Sequence, residues 1–322
     1  MVDGSTHVGN GVQVDADGSP DVTPEQHGAA PPLASAMPNA ESGDSHDGDE
    51  DAVEKSHGLL ILLRHGESMW NRSSEHPDRL WRYAGSNDVA LSEQGIHEAL
   101  EAGDRLARIP IDIVFASVLS RAINTCMISL AKHVSGLTPL VANRTGSYKQ
   151  ALESVEKLPP NTVVPIVCSE KLNERNFGEL QGMPSTEHLV RYKKDYLREV
   201  RNKFNIRFPG PEGESTEDVY NRVVPYFEEN ILPLLRQGKN ILLCSHGFAI
   251  RALIKYLDGM SDEEFNSEMR KEKADPENCK LLAATGVPLL YRFDRFAEDG
   301  VRPKKIGAID RAYELAHTCA PY

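Results

Sequence analysis

The sequence predicts an α/β fold in which helices cover both faces of a mostly parallel central sheet. Short, continuous runs of aliphatic residues, which are typical of strands buried on both faces, begin near residues 58 and 240. Segments with the period of a helix lie between such runs, and strands that alternate with helices form parallel sheets. We therefore expect one such domain over residues 56–322, preceded by an N-terminal tail.

The first half of this domain is predicted to contain two strands and two helices. The run LLILLR makes 58–64 a buried strand. Ser92 is a good N-cap because its hydroxyl can accept a first-turn N–H, and a helix with recurring apolar residues follows it to Leu106. Residues 112–115 form a short strand, and apolar residues at helical spacing predict a second helix over 117–133.

Prolines make the middle of the chain less regular. Residues 136–165 contain several of them and are interpreted as an insertion with one short helix. A brief strand is predicted at 166–168. The segment 187–207 is rich in arginine and lysine, and we expect it to be helical as far as Phe204.

Helices and strands alternate again toward the C-terminus. A long helix is predicted over 217–235, with an interruption at Pro225 or Pro233 because proline removes a helical hydrogen bond. The remaining predicted elements are a buried strand, a helix, a final strand and a tail helix, at 240–244, 248–257, 288–293 and 308–316.

Residues 1–55 are predicted to be a disordered acidic tail. They contain few large apolar side chains, so they cannot bury enough surface to offset the entropy of ordering. Lys55 is the only lysine or arginine among them, and the tail therefore carries nearly all of the formal charge of −12. The body is close to neutral, which permits a basic pocket. A solvated tail is the simpler interpretation, and a partner-binding tail is the alternative.

Composition also bears on the cellular context. No apolar run near Met1 resembles a secretory signal, and the tail is too acidic for a mitochondrial transit peptide. No stretch has the ~20 apolar residues that a membrane helix needs. The five cysteines are scattered without a CxxC or Cys/His cluster, which argues against a metal site and a disulfide framework. We expect a cytoplasmic protein whose partners include neither membrane nor nucleic acid.

Two predicted strands end in the same way, in the segments LLILLRHG and NILLCSHG. Ligands of open α/β sheets bind at the carboxyl ends of the strands. Each segment brings a histidine and a glycine to the start of a turn or helix, where free backbone N–H groups attract anions. One His-Gly pair alone would have no functional meaning in most chains. Two in matched positions, with Arg64 at one of them, indicate a phosphate site.

Five segments carry a resemblance to a known family. LLRHGESMWN resembles the signature of the histidine phosphatase superfamily, whose members phosphorylate the histidine of an RHG motif. SVLSRAINT resembles its second arginine motif, LNERNFGELQG its acid motif, SHGFAIRALIKYLDGMS its second-histidine motif and TGVPLLYRFD its closing strand. Together they resemble the bisphosphoglycerate-dependent phosphoglycerate mutases, with similarity from about Gly58 to the C-terminus.

The resemblance implies a role for each matched residue. His65 would be the nucleophile, and Glu174 would be the general acid and base that moves a proton on and off the substrate hydroxyl. The residues that would hold the phosphoryl oxygens are Arg64, Arg121 and His246. Those that would bind substrate are Ser68, Asn71, Gly85, Arg175, Arg201 and Gly247. From spacing alone, Glu174 would be a surface carboxylate paired with Arg175, and Arg121 a surface arginine of its helix.

Several expected substrate groups differ in this chain. The positions at which the resemblance would lead us to expect other residues are Ala84, Asn176, Phe177, Ser185, Asn202 and Phe248. Five basic residues offer substitute charge, with a solvated helix face as the alternative interpretation: Arg191, Lys193, Lys194, Lys203 and Arg207.

Three functions remain open from the sequence. The first is the mutase activity that the resemblance implies, which interconverts 3-phosphoglycerate and 2-phosphoglycerate through a phosphohistidine primed by 2,3-bisphosphoglycerate, without a metal. The second is a phosphatase acting on a small phosphomonoester, in which water receives the phosphoryl group. The third is a protein that only senses phosphate. In each case the partner is a small phosphorylated molecule, and because relatives are often dimers or tetramers a homo-oligomer stays open.

Overall fold

A computed structural model describes residues 58–72, 81–144, 147–293 and 303–308. All of them belong to the second of the two units into which the chain divides, Val53–Tyr322. The predicted acidic tail lies outside the described residues. So does the predicted tail helix, apart from Ala308, which ends a strand.

The described residues form one mixed sheet with the strand order β3-β4-β2-β5-β1-β6-β7. The strands are β1 Leu59–Arg64, β2 Ile113–Ala116, β3 Thr138–Asn143, β4 Val163–Cys168, β5 Ile241–Ser245, β6 Leu289–Arg292 and β7 Lys304–Ala308. The first five in this order are parallel, and β6 and β7 extend the sheet in antiparallel fashion. The predicted α/β fold with a mostly parallel sheet is confirmed.

Helices cover both faces of this sheet. They are α1 Glu93–Leu106, α2 Ser120–Leu130, α3 Tyr148–Val155, α4 Ser185–Arg191, α5 Lys194–Asn202, α6 Thr216–Asn230, α7 Leu232–Arg236, α8 Gly247–Asp258 and α9 Asp262–Ala274. Successive residues of a strand face opposite sides. Leu62 accordingly packs in the core layer that contains α6 and α8 residues, whereas Leu63 packs in the layer that contains α1 and α2 residues. No helix among the described residues is long and apolar enough to cross a membrane.

Local sequence explains where two of these helices begin and end. Ser92 caps α1 as predicted, since its hydroxyl accepts the Gly95 N–H at 3.1 Å. Pro225 lies inside α6 without ending it, and the predicted interruption falls at Ile231, just before Pro233 in the first turn of α7. Proline is tolerated there because first-turn N–H groups have no helical partner.

Two predictions about the middle of the chain were wrong. Residues 136–165 contain one short helix, α3, as expected, but they also contain β3 and the start of β4 and therefore contribute to the sheet. β3 is an edge strand whose residues are only half-buried or exposed, so it lacks the aliphatic run that marks a central strand. The basic segment 187–207 is two helices, because the chain is extended at Tyr192 and Lys193 between α4 and α5.

Candidate active site

The carboxyl ends of four adjacent parallel strands, in the order β4, β2, β5 and β1, meet at one edge of the sheet. Arg64 at the end of β1 lies directly opposite Ser245 at the end of β5. His65 and His246 therefore leave the sheet side by side, with ring centroids 4.9 Å apart. The parallel pairing thus brings together the two histidines predicted from the matched strand ends.

His65 is held as a neutral imidazole with one nitrogen exposed to the site. Its Nδ1 lies 2.7 Å from the Gly66 carbonyl oxygen. A carbonyl can only accept, so Nδ1 carries the proton and Nε2 keeps its lone pair. Burial, followed by the charges of Arg121 and Arg64, lowers the pKa of His65 well below its usual value. An unprotonated Nε2 is the form that can act as a nucleophile.

The loop after His65 is fixed by close packing against α1. A Cβ on Gly66 would overlap the carbonyl of Gly95 in the first turn of that helix. The Gly66 N–H also donates to Oγ1 of Thr125 at 3.0 Å. These contacts hold the carbonyl that sets the tautomer of His65.

Arg121 is fully enclosed and points at the nucleophile, so it is not a surface arginine. Nη1 donates to the Asn87 carbonyl at 2.8 Å and Nη2 to the Gly85 carbonyl at 2.7 Å. Its Nε–H donates to Nε2 of His65 at 3.3 Å. Gly85 adopts a left-handed conformation with φ of +53°, which favours glycine. In this structure Gly85 therefore positions Arg121.

His246 lies at the N-terminus of α8 and is completely buried. Its Nε2 lies 2.6 Å from Oγ of Ser117, the residue that follows β2. Its Nδ1 has no hydrogen-bond partner among the described residues. Burial and the charge of Arg121 lower the pKa of His246 well below the usual range, so the ring is neutral. A Ser117 hydroxyl that donates to Nε2 leaves a proton on Nδ1, free for an anion.

Glu174 is positioned by backbone N–H groups on the far side of the site. Its Oε1 accepts from the N–H of Arg175 at 2.9 Å and from that of Phe248 at 3.0 Å. A Cβ on Gly247 would lie 3.5 Å from Oε2 of Glu174 and 3.7 Å from Cζ of Arg64. Glu174 thus lies beside the N-terminus of α8, and the surface pair with the Arg175 side chain does not occur.

Arg64 approaches the same glycine from β1. Its Nη1 donates to the Ala283 carbonyl at 3.0 Å, and its buried Nε has no partner within the described ranges. Burial and the charge of Arg251 lower the pKa of Arg64 to about 10, so it stays charged at neutral pH. A buried cation with a free N–H favours an anionic ligand.

Ser68 and Asn71 are bound to each other. Oδ1 of Asn71 accepts from the N–H of Ser68 at 2.5 Å and from its hydroxyl at 2.6 Å. The amide NH₂ of Asn71 is thereby the end of the side chain left to donate. Asn71 remains a candidate donor to a ligand, while the Ser68 hydroxyl fixes the turn.

Arg175 lies in an aromatic cage rather than on the surface. Its Cζ lies 3.6, 4.5 and 5.7 Å from the ring centroids of Phe248, Phe208 and Phe177, respectively. Nη1 donates to Oγ1 of Thr216 at 3.0 Å, and Nε and Nη2 have no partner in the described part of the chain. Two of the departures from the expected motif, Phe177 and Phe248, thus enclose a cation.

Arg201 forms part of a charged cluster that the sequence did not predict. Its Nη2 lies 3.3 Å from Oε2 of Glu272 on α9, and Oε1 of Glu272 pairs with Nη2 of Arg251 on α8. Arg251 belongs to the second-histidine motif and lies four residues after Gly247, on the same helix face. Its spacing from Gly247 could have identified Arg251 as a site residue from the sequence. Glu272 lies in none of the five motifs, so no such signal exists for it.

The other predicted basic residues form surface ion pairs or are exposed. Arg191, Lys203 and Arg207 pair with Glu179, Glu199 and Asp218, respectively. Lys193 and Lys194 are exposed. These contacts favour the alternative of a solvated helix face.

A polar cavity of about 520 Å³ opens beside Glu174. It is lined by Ser86, Glu170, Lys171, Asn173, Glu174, Asn176, Pro211, Glu212, Glu214 and Arg222. Over the residues that the structure describes, no group of three or more His, Cys, Asp or Glu side chains is arranged to hold a metal ion.

The model of the histidine phosphatase superfamily, branch 1, matches residues 60–141 and 129–274. This chain belongs to that superfamily. The match spans β1, α2, Glu174 and α8, so all the residues just described at the strand ends lie within it.

Curated relatives make the resemblance more specific. The chain is 36% identical over 276 residues to 2,3-bisphosphoglycerate-dependent phosphoglycerate mutase 1 of Arabidopsis thaliana, which covers 83% of this chain and 75% of the relative. It is 35% identical over 235 residues to the 2,3-bisphosphoglycerate-dependent phosphoglycerate mutase of Chlamydia trachomatis serovar L2, covering 73% and 93%. The chain resembles these mutases in sequence.

Solved structures with the same fold include phosphatases. Mycobacterial glucosyl-3-phosphoglycerate phosphatase matches with a TM-score of 0.53 at 17% identity, over 78% of this chain and 98% of the other. The α-ribazole phosphatase of Shigella flexneri matches with a TM-score of 0.50 at 20% identity, over 77% and 96%. At these identities the likeness concerns the fold alone.

Proposed function

We propose that this protein is a phosphoglycerate mutase that interconverts 3-phosphoglycerate and 2-phosphoglycerate through a phosphohistidine at His65, in glycolysis and gluconeogenesis. The observation that carries the proposal is the neutral, buried His65 with an unprotonated Nε2, beside Nε of Arg64 and Nδ1 of His246, which have no hydrogen-bond partner among the described residues. The curated relatives with mutase names support it.

Each cycle begins with the phosphoryl group on Nε2 of His65. In the first step, Glu174 removes a proton from the free hydroxyl of the phosphoglycerate, and an O–P bond to that oxygen forms as the N–P bond to His65 breaks. In the second step, Nε2 attacks the phosphorus of the other phosphoryl group, a new N–P bond forms as its P–O bond breaks, and the leaving oxygen takes the proton back from Glu174. The imidazole keeps its Nδ1 proton, whose hydrogen bond to the Gly66 carbonyl stabilises the positive charge that the phosphorylated ring carries.

The surrounding cations stabilise the transferring group. In the transition state, the charge of the transferring phosphoryl group is spread over its equatorial oxygens. Catalysis therefore depends on hydrogen-bond donors and cations that are already positioned around these oxygens. Arg64 Nε and His246 Nδ1 are buried and have no partner among the described residues, and both lie at the strand ends next to His65. Arg121 adds a fixed charge against Nε2.

2,3-Bisphosphoglycerate, when bound, supplies the phosphoryl group that keeps His65 loaded. The buried donors of Arg64 and His246 fit one phosphoryl group of such a primer. Arg201 and Arg251 are the cations next to that position, and they would hold its second anionic end. Both of these arginines carry Glu272 as a partner in the structure.

A phosphatase is the second candidate, and the pairing of Glu272 with Arg201 and Arg251 favours it. A mutase must bind the carboxylate of its substrate and keep water from the phosphohistidine. If Glu272 keeps both arginines occupied, a second anionic group loses its partners. Water would then receive the phosphoryl group from His65.

One assay separates the two candidates. The full chain is supplied with 3-phosphoglycerate, with and without trace 2,3-bisphosphoglycerate, and 2-phosphoglycerate and free phosphate are followed together. Primer-dependent formation of 2-phosphoglycerate with little free phosphate supports the mutase. Free phosphate without isomerisation contradicts it and supports the phosphatase.

The proposed function also suggests a cellular location. The phosphoglycerates of glycolysis are cytoplasmic, and we propose that this chain acts there. Imaging of the full-length chain fused to a fluorescent protein tests this, and a signal confined to an organelle would contradict it.

A further inference from the structure

Glu272 lies between two arginines at the edge of the active site. Oε1 pairs with Nη2 of Arg251, and Oε2 lies 3.3 Å from Nη2 of Arg201. The side chain of Glu272 is 14% exposed and that of Arg251 is 3% exposed, so this is a largely enclosed pair. Neither the catalytic steps nor the sequence motifs give Glu272 a role.

This pair is next to the phosphate site. A Cβ on Gly247 would lie 2.7 Å from Nη1 of Arg251 and 3.7 Å from Cζ of Arg64. Burial raises the pKa of Glu272, but the charges of Arg251, Arg201 and Arg64 outweigh it and hold the pKa below its usual value. Glu272 is therefore negatively charged at neutral pH, beside the cations that a phosphorylated substrate would meet.

The pairing also explains why Arg251 tolerates its enclosure. A buried guanidinium without a counter-charge is costly, and Nε of Arg251 already lacks a partner within the described residues. The Glu272 carboxylate supplies that counter-charge. A ligand carboxylate placed between Arg201 and Arg251 would make the same contacts, so the two carboxylates exclude each other.

We propose that Glu272 is a specificity-determining residue that occupies the subsite for a substrate carboxylate and must be displaced before a phosphorylated carboxylic acid binds fully. This inference rests on the proposed function in taking 3-phosphoglycerate as the relevant ligand. Glu272 weakens the binding of such ligands relative to phosphomonoesters that lack a carboxylate. Glu272 therefore sets the preference of the site between phosphorylated ligands with a second anionic group and those without one.

Direct binding to the full-length protein tests the inference without relying on turnover. 3-Phosphoglycerate and glycerol 3-phosphate differ in that a carboxylate replaces a CH₂OH group, and both are titrated calorimetrically without primer. Loss of a negative charge strengthens binding of any phosphate, so the diagnostic quantity is the ratio of the two affinities. In Glu272→Gln, this ratio should shift toward 3-phosphoglycerate by about tenfold, the usual effect of a hydrogen bond to a charged group.

Glu263→Gln is the matched control, because it removes the same charge from an exposed position on the same helix. It should leave the ratio unchanged. An unchanged ratio in Glu272→Gln, or an equal shift in both variants, would overturn the proposal.

If Glu272→Gln does not fold, Glu272→Asp provides the test. A smaller shift of the ratio in the same direction is expected, and an unchanged ratio would overturn the proposal. If the isomerisation assay gives no 2-phosphoglycerate, the proposed mutase activity is contradicted. The ratio of the two affinities still tests the role of Glu272, because it is measured by binding.

Discussion

Nε of Arg121 lies 3.3 Å from Nε2 of His65, on the side of the ring opposite the hydrogen bond to the Gly66 carbonyl. The two contacts define a neutral imidazole whose unprotonated Nε2 accepts an N–H of a cation. A protonated Nε2 would place two positive charges against each other in a buried site, so the geometry and the charge distribution favour the same protonation state.

The protonation state of His65 can be measured by NMR. Because its pKa is lowered, an unfolded chain binds a proton at His65 on acidification before the folded chain does. The ring should stay neutral as the pH falls through the usual value near 6.5, and folding stability should decline there. Nitrogen-detected titration of the full chain, assigned with His65→Gln, should show an Nδ1–H tautomer. An Nε2–H tautomer or a midpoint near 6.5 would argue against this description.

Ser117 is predicted to position His246. Ser117→Ala removes the hydroxyl that lies 2.6 Å from Nε2, and kcat/KM should fall by about tenfold, as expected for one lost hydrogen bond. Ser117→Thr keeps a hydroxyl and should recover part of the loss. The control is Ser129→Ala, which removes a buried hydroxyl bonded to Ala99 and Thr125, away from the strand ends. Equal losses of kcat/KM in both alanine variants would mean that Ser117 has only a structural role.

Gly85 is predicted to matter through the carbonyl that holds Arg121. An alanine at this left-handed position costs about 1 kcal/mol of stability, and its Cβ would also overlap the Gln181 side chain. Gly85→Ala should therefore lower both the melting temperature and kcat. Gly136→Ala imposes a similar backbone strain at φ of +67° with no atom within 4 Å of the new Cβ. It should lower the melting temperature alone, and an equal loss of kcat would refute the positioning role of Gly85.

Glu174→Gln should preserve the fold and slow proton transfer. A glutamine Oε1 can still accept the N–H groups of Arg175 and Phe248. Turnover of 3-phosphoglycerate should fall by about 10²- to 10⁴-fold, the usual effect of a general acid and base. Formation of phosphohistidine from p-nitrophenyl phosphate should change little, because that leaving group needs no proton. If both substrates slow equally, Glu174 acts on the phosphoryl group instead.

The parts of the fold that the sequence predicted are those with a strong local signal. The central strands β1 and β5 are continuous aliphatic runs because both faces are covered. The edge strand β3 was missed because half-exposed residues and Pro139 interrupt any such run. Helix α9 was missed because Phe265 and Met269 are its main buried apolar residues, too few for a clear period.

The candidate site was predictable to the extent that it lies in contiguous motifs. His65 and His246 directly follow β1 and β5, so the strand pattern in the sequence was enough to place both histidines at the same edge of the sheet. Glu272 could not be found this way, because its relation to Arg201 and Arg251 is made by the packing of α9 against distant helices. Nothing in the sequence around a single glutamate of a charged helix indicates such a long-range contact.

The most direct test of the central claim is to trap the phosphoryl group on His65. The full-length protein is mixed with radiolabelled 2,3-bisphosphoglycerate, quenched in alkali to preserve phosphohistidine, digested and mapped by mass spectrometry. We predict label on the peptide that contains His65, in wild-type protein and in Glu174→Gln, and no label in His65→Ala. Label on another residue, or turnover that survives in His65→Ala, would contradict the assignment of His65 as the nucleophile.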